Sequence, residues 1–138
     1  MSYAVPGVRL GVAQAGIKKA GKDDLLLIGL SENTQTAAVF TQNAFCAAPV
    51  RLARNHLALS LGRPQYLLIN TGNANAGTGE EGLAGAMSCC AALSALAETP
   101  DTAVLPFSIG VIGLPSTCDC IQTAIPFAFS LLTDGQRH

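Results

Sequence analysis

Two short segments of this sequence have the composition of ligand-binding turns, because both are rich in glycine and small polar residues. The first, residues 70–82, follows an apolar run and has the sequence Asn-Thr-Gly-Asn-Ala-Asn-Ala-Gly-Thr-Gly-Glu-Glu-Gly. Glycine lacks the Cβ that disfavours positive φ, so we predict that Gly72 and Gly77 hold a tight turn. Thr78 and Glu81 have the spacing of a capping box that opens a helix. A strand, a tight loop and a helix N-terminus in this order can bind anions or polar ligands, and an ordinary strand-to-helix turn remains the alternative.

This first segment does not have the residues of a nucleotide-triphosphatase. Gly72 and Gly77 have the separation of the two glycines in a phosphate-binding P-loop. Thr78 and Gly79 then stand where that loop needs Lys followed by Ser or Thr. Without the lysine, nothing in the loop reaches the terminal phosphates, so we exclude this class of enzyme.

The second segment, residues 108–113, has the sequence Ser-Ile-Gly-Val-Ile-Gly and follows a predicted strand. We predict a corner at Ile109 and Gly110, where a backbone N–H can donate a hydrogen bond to a developing oxyanion. Glycine leaves the approach to that N–H open. Glycine turns are also common after strands, so an ordinary turn remains the alternative here as well.

Other catalytic constellations are poorly supported. His56 falls in a predicted helix, where we expect a surface position, and His138 is the last residue, so a Ser-His-Asp arrangement has little support. No second cysteine pair or histidine cluster completes a metal site with Cys118 and Cys120, and we predict no bound metal. The five cysteines are an odd number in an intracellular context, which argues against a disulfide framework. We interpret all five as small buried or half-buried hydrophobic residues: Cys46, Cys89, Cys90, Cys118 and Cys120.

Composition restricts the possible partners and location. The 138 residues suggest one domain or part of one, with 49% hydrophobic and only 12% charged residues. With so few charges, we expect some apolar surface to meet another chain or a further segment. A net charge of -1 without a basic run argues against a nucleic-acid partner. No apolar run has membrane-spanning length and no signal peptide is visible, so we expect no membrane association and a cytoplasmic location.

The elements that position the two glycine segments follow from periodicity. We predict strands at residues 8–12, 24–30, 36–41, 65–70 and 102–107, with the second and third paired as a hairpin. Helices are predicted at residues 49–59, 79–97 and 116–132, the last kinked or shortened by Pro126. The buried stripe of the second helix is predicted to be Leu83, Met87, Cys90, Leu93 and Ala97. Paired strands together with alternating helices predict an α+β fold with a mixed or antiparallel sheet.

The segments together resemble the bifunctional ornithine acetyltransferase / glutamate N-acetyltransferase family of arginine biosynthesis. The resemblance extends from Val5 to about Ile125, with a fainter echo through residues 132–135. The matching pieces occur in the family's order and spacing, at residues 5–10, 15–19, 38–43, 47–50, 69–76 and 110–113. Each piece is modest alone, but their joint order is specific.

The resemblance implies a fold of sheet layers packed between helices, an αββα-like arrangement. It implies a precursor that cuts itself before a Thr, which becomes the N-terminal nucleophile of a second, beta chain; the cleaved chains assemble into heterotetramers. That Thr takes the acetyl group of N-acetylornithine and passes it to glutamate, with its own α-amine as base. Some members also accept acetyl-CoA; no resident cofactor is implied. The family's oxyanion-hole Thr-Gly pair aligns with Ile109 and Gly110.

Two departures from the family's pattern shape the functional prediction. Ile109 replaces the Thr of the oxyanion hole, which removes a hydroxyl donor. The family's substrate-binding Thr and Lys and its nucleophilic Thr have no counterpart in residues 1–138, and Thr133 does not match that nucleophile. We therefore expect residues 1–138 to form a single partial domain, the N-terminal part of the alpha chain, without acetyl transfer of its own. The alternatives are a degenerate, non-catalytic assembly module or a small-ligand binder that uses residues 72–79.

Overall fold

A mixed β-sheet and three helices make up the described part of the chain. The computed structural model describes residues 4–17, 20–40, 42, 48–73, 79–111 and 118–132. The elements in chain order are β1 (Val8–Ala13), β2 (Leu25–Leu30), α1 (Ala48–Leu59), β3 (Tyr66–Asn73), α2 (Gly79–Ala97), a 3₁₀ turn (Asp101–Ala103), β4 (Val104–Val111) and α3 (Cys118–Ser130). The predicted α+β fold is confirmed, and α2 has the predicted bounds.

The sheet has the order β1-β2-β3-β4. β1 pairs antiparallel with β2, and β2 pairs antiparallel with β3. β3 pairs parallel with β4, and α2 lies in the connection between them, as a parallel pair requires a crossover. The sheet is therefore mixed, with its single parallel pair at the β4 edge.

All three helices pack on one face of the sheet. Strand residues alternate between faces, and one parity on every strand contributes to the main core, for example Leu27, Leu68 and Val104. The helices supply the opposing side chains of that core, among them Leu93 of α2 and Ile125 of α3. This packing fixes where α2 and α3 begin relative to the ends of β3 and β4.

The other face of the sheet is apolar but is not part of the main core. We call it the open sheet face. Most of its side chains are half-buried, Leu105 is buried, and Ile109 is 63% exposed. Thr71 is its polar member at the β3 end. Its apolar members are Val8, Leu10, Val12, Leu26, Ile28, Leu30, Leu67, Ile69, Leu105, Phe107 and Ile109. A continuous apolar surface of this kind is typical of an interface.

The predicted strand at residues 36–41 and its hairpin with β2 are wrong. The described residues 31–40 contain no strand, and Val39 is fully exposed. Both edges of β2 are already occupied by β1 and β3. The segment instead contacts the α1 region, where Thr36 N donates to Gly62 O at 2.8 Å and the guanidinium of Arg54 lies 5.4 Å from the Phe40 ring centre.

One helix prediction also needs correction. Four members of the predicted stripe are buried or pack against the core, namely Leu83, Cys90, Leu93 and Ala97, but Met87 is 51% exposed. Small residues form much of the buried side of α2: Gly82, Ala86, Cys89, Cys90 and Ser94 are buried with Leu93. Small residues allow α1 and α3 to approach α2 closely. Pro126 lies within α3, which continues to Ser130.

Candidate functional site

Parallel pairing places the two predicted glycine segments side by side. Thr71 is in register with Ile109, and Gly72 with Gly110, at the carboxyl ends of β3 and β4. Neighbouring strands lie about 4.8 Å apart, so the two segments form one surface. In mixed and parallel sheets, ligands commonly bind outside these strand ends.

The backbone of the two segments differs from the prediction in one respect. Ile109 and Gly110 lie within β4, which continues to Val111, so the predicted corner at these residues is wrong. Gly72 has a φ of 100°, which supports the predicted role of glycine after the β3 run. Gly77, Thr78 and residues 112–113 lie outside the described residues.

The side chains at these strand ends divide between the two faces of the sheet. Thr71 and Ile109 are on the open sheet face, where the Ile109 side chain is largely exposed. Asn70 and Ser108 are on the helix side. Ser108 Oγ donates to Asn70 Oδ1 at 2.6 Å, and Asn70 is only 5% exposed. This buried bond ties β3 to β4 directly beneath the candidate site.

A small cavity adjoins the Asn70–Ser108 pair on the helix side. It has a volume of about 20 Å³, which is space for about one water molecule. Its wall includes Gly85 and Cys89 of α2 and Cys118 of α3. The cavity is too small for an amino-acid substrate.

The buried ionisable side chains of His56 and Asp24 make structural hydrogen bonds. His56 Nδ1 donates to Val104 O at 2.7 Å, which corrects the predicted surface position of this residue, now 6% exposed. The Asp24 carboxylate accepts from Ala15 N at 2.5 Å and from Ile17 N at 2.9 Å, closing the β1–β2 turn. Both side chains are engaged in these bonds, and Thr71 N donates to the main-chain oxygen of Asp24 at 2.9 Å.

The buried thiols are poor nucleophiles at neutral pH. Burial raises the pKa of Cys90 to about 12, and burial together with the neighbouring Cys118 raises the pKa of Cys89. A thiol attacks as the thiolate, so both side chains are largely unreactive as single nucleophiles. Cys120 is exposed and Cys118 is half-buried; Cys46 lies outside the described residues.

Comparison with known proteins decides the family. A sequence model of the ArgJ family matches residues 9–137, nearly the whole chain. The chain belongs to the ArgJ family.

Individual ArgJ proteins show the same similarity. The arginine biosynthesis bifunctional protein ArgJ of Methylococcus capsulatus is 52% identical over 130 residues, which are 94% of this chain and 31% of that protein. Its counterpart in Pseudomonas syringae pv. tomato is 47% identical, over 95% of this chain and 32% of that protein. The chain thus spans about a third of the length of these curated relatives.

Solved ArgJ structures share the fold. The ornithine acetyltransferase of Mycobacterium tuberculosis, crystallised in complex with ornithine, superposes with a TM-score of 0.86 at 31% identity, covering 94% of this chain and 69% of that chain. The ArgJ protein of Bacillus halodurans superposes with a TM-score of 0.80 at 27% identity, covering 95% and 75% respectively. The fold seen here is therefore an ArgJ fold.

Sequence reasoning missed the pairs that support the ArgJ strand ends. Asn70 has the parity of the buried residues Leu68 and Tyr66, and this alternation is the signal that could have placed it on the helix side. The bond to Ser108 and the contact between Cys89 and Cys118 join distant segments, and no local pattern indicates them.

Among the described residues, no three His, Cys, Asp or Glu side chains are grouped so as to hold a metal ion. No helix in the described ranges combines the length and apolarity that a bilayer crossing requires.

Proposed function

We propose that this chain forms the N-terminal part of a bifunctional ArgJ enzyme, a glutamate N-acetyltransferase and ornithine acetyltransferase of arginine biosynthesis. In the complete enzyme, acetyl passes from N-acetylornithine to a Thr hydroxyl and then to glutamate. Acetyl-CoA is a further possible donor, and no resident cofactor is required. The proposal includes the cytoplasmic location expected from the sequence. Membership of the ArgJ family and similarity over nearly the whole chain support it.

The observation that carries the proposal is the register of Thr71–Gly72 with Ile109–Gly110. Attack on the acetyl carbonyl places negative charge on its oxygen, and backbone N–H donors at a strand end can stabilise that charge. We assign this role to the N–H of Gly110. Ile109 holds the neighbouring position, and its side chain has no donor.

The nucleophile of this reaction comes from outside residues 1–138. Thr71 is the hydroxyl side chain in register with Ile109, and the buried groups Asp24 and His56 are engaged elsewhere. A Thr at the N-terminus of a second chain carries its own base, the α-amine. Residues 1–138 alone therefore lack acetyl-transfer activity in this proposal.

The open sheet face is the surface that meets the complementary part of the enzyme. It is apolar along all four strands and ends at Ile109, where the acyl group is to be held. We propose that the beta chain, released from the same precursor by autocatalytic cleavage, packs on this face and brings its Thr to Gly110. Two such pairs then form the heterotetramer.

A chimeric enzyme tests this proposal. Residues 1–132 are joined to the part of the Methylococcus capsulatus ArgJ protein that follows the matched region, and acetylglutamate formation from N-acetylornithine is measured. Residues 1–138 alone are expected to give no product, and the chimera is expected to give a low rate. Product from residues 1–138 alone, or none from a folded and self-cleaved chimera carrying Ile109→Thr, contradicts the proposal.

A matched pair of variants tests the role of position 109. Ile109→Thr in the chimera restores a hydroxyl donor and is expected to raise kcat by roughly 10²–10³. Ile109→Val has almost the same shape as the Thr variant but no hydroxyl, and is expected to leave kcat within about threefold of the parent. Equal rates in the two variants mean that position 109 does not contribute a donor.

Ile109 also favours a second candidate function. In a degenerate, non-catalytic copy of the enzyme, an apolar residue can replace a catalytic hydroxyl. The open sheet face of such a copy would serve for assembly with a full-length relative. Co-purification of residues 1–138 with a full-length ArgJ protein, together with an inactive Ile109→Thr chimera, supports this module. A non-catalytic chain could instead bind a small ligand through residues 72–79. Calorimetry with ornithine, glutamate and their acetylated forms tests this alternative.

A further inference from the structure

Cys89 and Cys118 bring two sulfur atoms together from separate helices. Cys89 lies in the middle of α2 and Cys118 is the first residue of α3, and their Sγ atoms are 3.3 Å apart. A disulfide bond is about 2.05 Å long, so the sulfur atoms need to approach by about 1.3 Å. We expect side-chain rotation with a small helix shift to close that distance.

The surroundings of Cys118 hold its sulfur against α2. Gly85 and Cys89 are one helical turn apart, so both face Cys118, whose Sγ lies 3.2 Å from Gly85 O. One turn further along α3, Gln122 Nε2 donates to Cys118 Sγ at 2.8 Å. The sulfur is thus positioned from two sides.

Cys90 provides the contrast within the same helix. It is fully buried and its Sγ lies 3.9 Å from the carbonyl oxygen of Val104, as expected of a cysteine that fills space. Cys89, its neighbour in sequence, points at a second thiol instead. Packing alone therefore accounts for Cys90 and does not account for the Cys89–Cys118 contact.

We propose that Cys89 and Cys118 form a dithiol site, which a small-molecule disulfide such as glutathione disulfide oxidises to a covalent link between α2 and α3. Cys118 is half-buried and Cys89 is 5% exposed, so the reagent meets Cys118 first. The link closes the wall of the cavity beneath Asn70 and Ser108. It thereby ties the start of α3 to the middle of α2.

The exchange proceeds in two balanced steps. The Cys118 thiolate attacks one sulfur of the reagent, whose S–S bond breaks, and the other half leaves as a thiol that takes up the Cys118 proton. Cys89 Sγ then attacks Cys118 Sγ, and the second reagent thiol leaves with the Cys89 proton. The protein loses two electrons and the reagent is reduced to two thiols. Burial raises the pKa of Cys89, so the second step is the slow one.

Two matched cysteine variants test the site. The first retains only Cys89 and Cys118, through Cys46→Ser, Cys90→Ala and Cys120→Ser. The second retains only Cys90 and Cys118, through Cys89→Ala with the same changes at 46 and 120. Each is treated with glutathione disulfide under native conditions and in urea, and free thiols, intact mass and linked peptides are measured.

The expected results distinguish a positioned pair from chance oxidation. In native conditions the first variant loses both thiols without retaining glutathione, and its urea midpoint rises by roughly 1–2 M until dithiothreitol is added. The second variant stops at a mixed disulfide or remains reduced. In urea the two variants are expected to cyclise equally, because Cys89 and Cys90 are equally accessible to Cys118 in the unfolded chain.

Two results overturn the proposal. One is equal native cyclisation of the two variants. The other is a first variant that keeps glutathione on Cys118 or stays fully reduced. If the triple substitutions prevent folding, the wild-type chain gives the same information: fragmentation of its native oxidised peptides must show Cys118 linked to Cys89 in preference to Cys90.

Discussion

Replacing Gly11 with alanine provides a sharp test of how the sheet and α3 pack. A Cβ at Gly11 overlaps the carbonyl oxygen of Ala128, and it also lies 3.0 Å from the carbonyl carbon of that residue and 3.4 Å from Leu132 N. All three obstacles belong to the backbone, so no rotamer change relieves the overlap. α3 has to move away from β1 to admit one methyl group.

The cost of that movement follows from what α3 contributes to the core. Its Ile121, Ile125 and Ala128 are at most 4% exposed and pack against the helix-facing side of the sheet. Overpacking of this kind costs about 3 kcal/mol, and the intrinsic advantage of alanine over glycine in a strand returns about 0.5 kcal/mol. The net cost is about 2.5 kcal/mol, and with a urea m-value of about 1.5 kcal/mol/M we expect the midpoint to fall by about 1.7 M.

Gly29→Ala is the matched control on the neighbouring strand. Its Cβ meets the Arg9 guanidinium at 3.2 Å, which is the flexible end of a side chain and can move. We expect a midpoint within about 0.5 M of the wild type. Far-UV circular dichroism at several protein concentrations gives the midpoints and separates unfolding from self-association. If Gly11→Ala is as stable as Gly29→Ala, the close contact between β1 and α3 described here is wrong.

Three further predictions concern the core, the open sheet face and alkaline pH. Leu93→Ala truncates a fully buried side chain and is expected to lower the free energy of unfolding by about 2–5 kcal/mol. Leu96→Ala truncates a side chain that is 42% exposed and is expected to lower it by less than about 1 kcal/mol, both measured by urea unfolding. Without a beta chain on the open sheet face, we expect residues 1–138 to self-associate through it, and we expect the Ile28→Thr variant to be more monomeric than the wild type in sedimentation velocity. A wild type that is monomeric at micromolar concentration contradicts this. Burial raises the pKa of Cys90 to about 12, so above about pH 9 the unfolded chain releases this proton while the folded chain keeps it. The free energy of unfolding therefore falls as the pH rises above about 9. Over two pH units this fall in the free energy of unfolding amounts to about 3 kcal/mol. In the Cys90→Ala variant, urea midpoints measured from pH 8 to 11 should decline less steeply.

Local patterns were sufficient for most elements of this fold. α2 has the bounds that its apolar spacing and flanking residues predict, from Gly79 to Ala97. The strands β1 and β2 agree with the predicted runs to within one residue. The local sequence of each of these segments favours the same secondary structure that the tertiary fold requires.

Pairing and burial depend on distant residues and were harder to predict. Residues 36–40 have β-forming composition, but β2 already has two partners, and the segment is held by contacts with Gly62 and Arg54. From its sequence position His56 is expected on the surface of an amphipathic helix. In the structure α1 packs on β4, and the carbonyl oxygen of Val104 accepts a hydrogen bond from His56 Nδ1. In both cases the deciding partner is far away in the sequence.

The candidate site shows the same division between local and long-range information. Composition alone indicated both glycine segments, and the parallel register of β3 and β4 is what joins Thr71 to Ile109. That register depends on the crossover through α2 and cannot be derived from either segment. The Asn70–Ser108 bond, which supports the strand ends from below, depends on it too.

Ile109 is where the two candidate functions make opposite demands on one side chain. It ends the open sheet face, so an apolar residue there extends the surface available for docking. In the proposed enzyme the same position is one where a hydroxyl would assist acetyl transfer. If the chain is part of an enzyme, Ile109→Thr raises the rate of the chimera with little effect on assembly. If it is an assembly module, the same substitution weakens association with a full-length relative, because a buried hydroxyl without a partner costs about 1–3 kcal/mol, and it brings no activity. Measuring rate and association on the same Thr and Val variants separates the two functions, since only the hydroxyl differs between them.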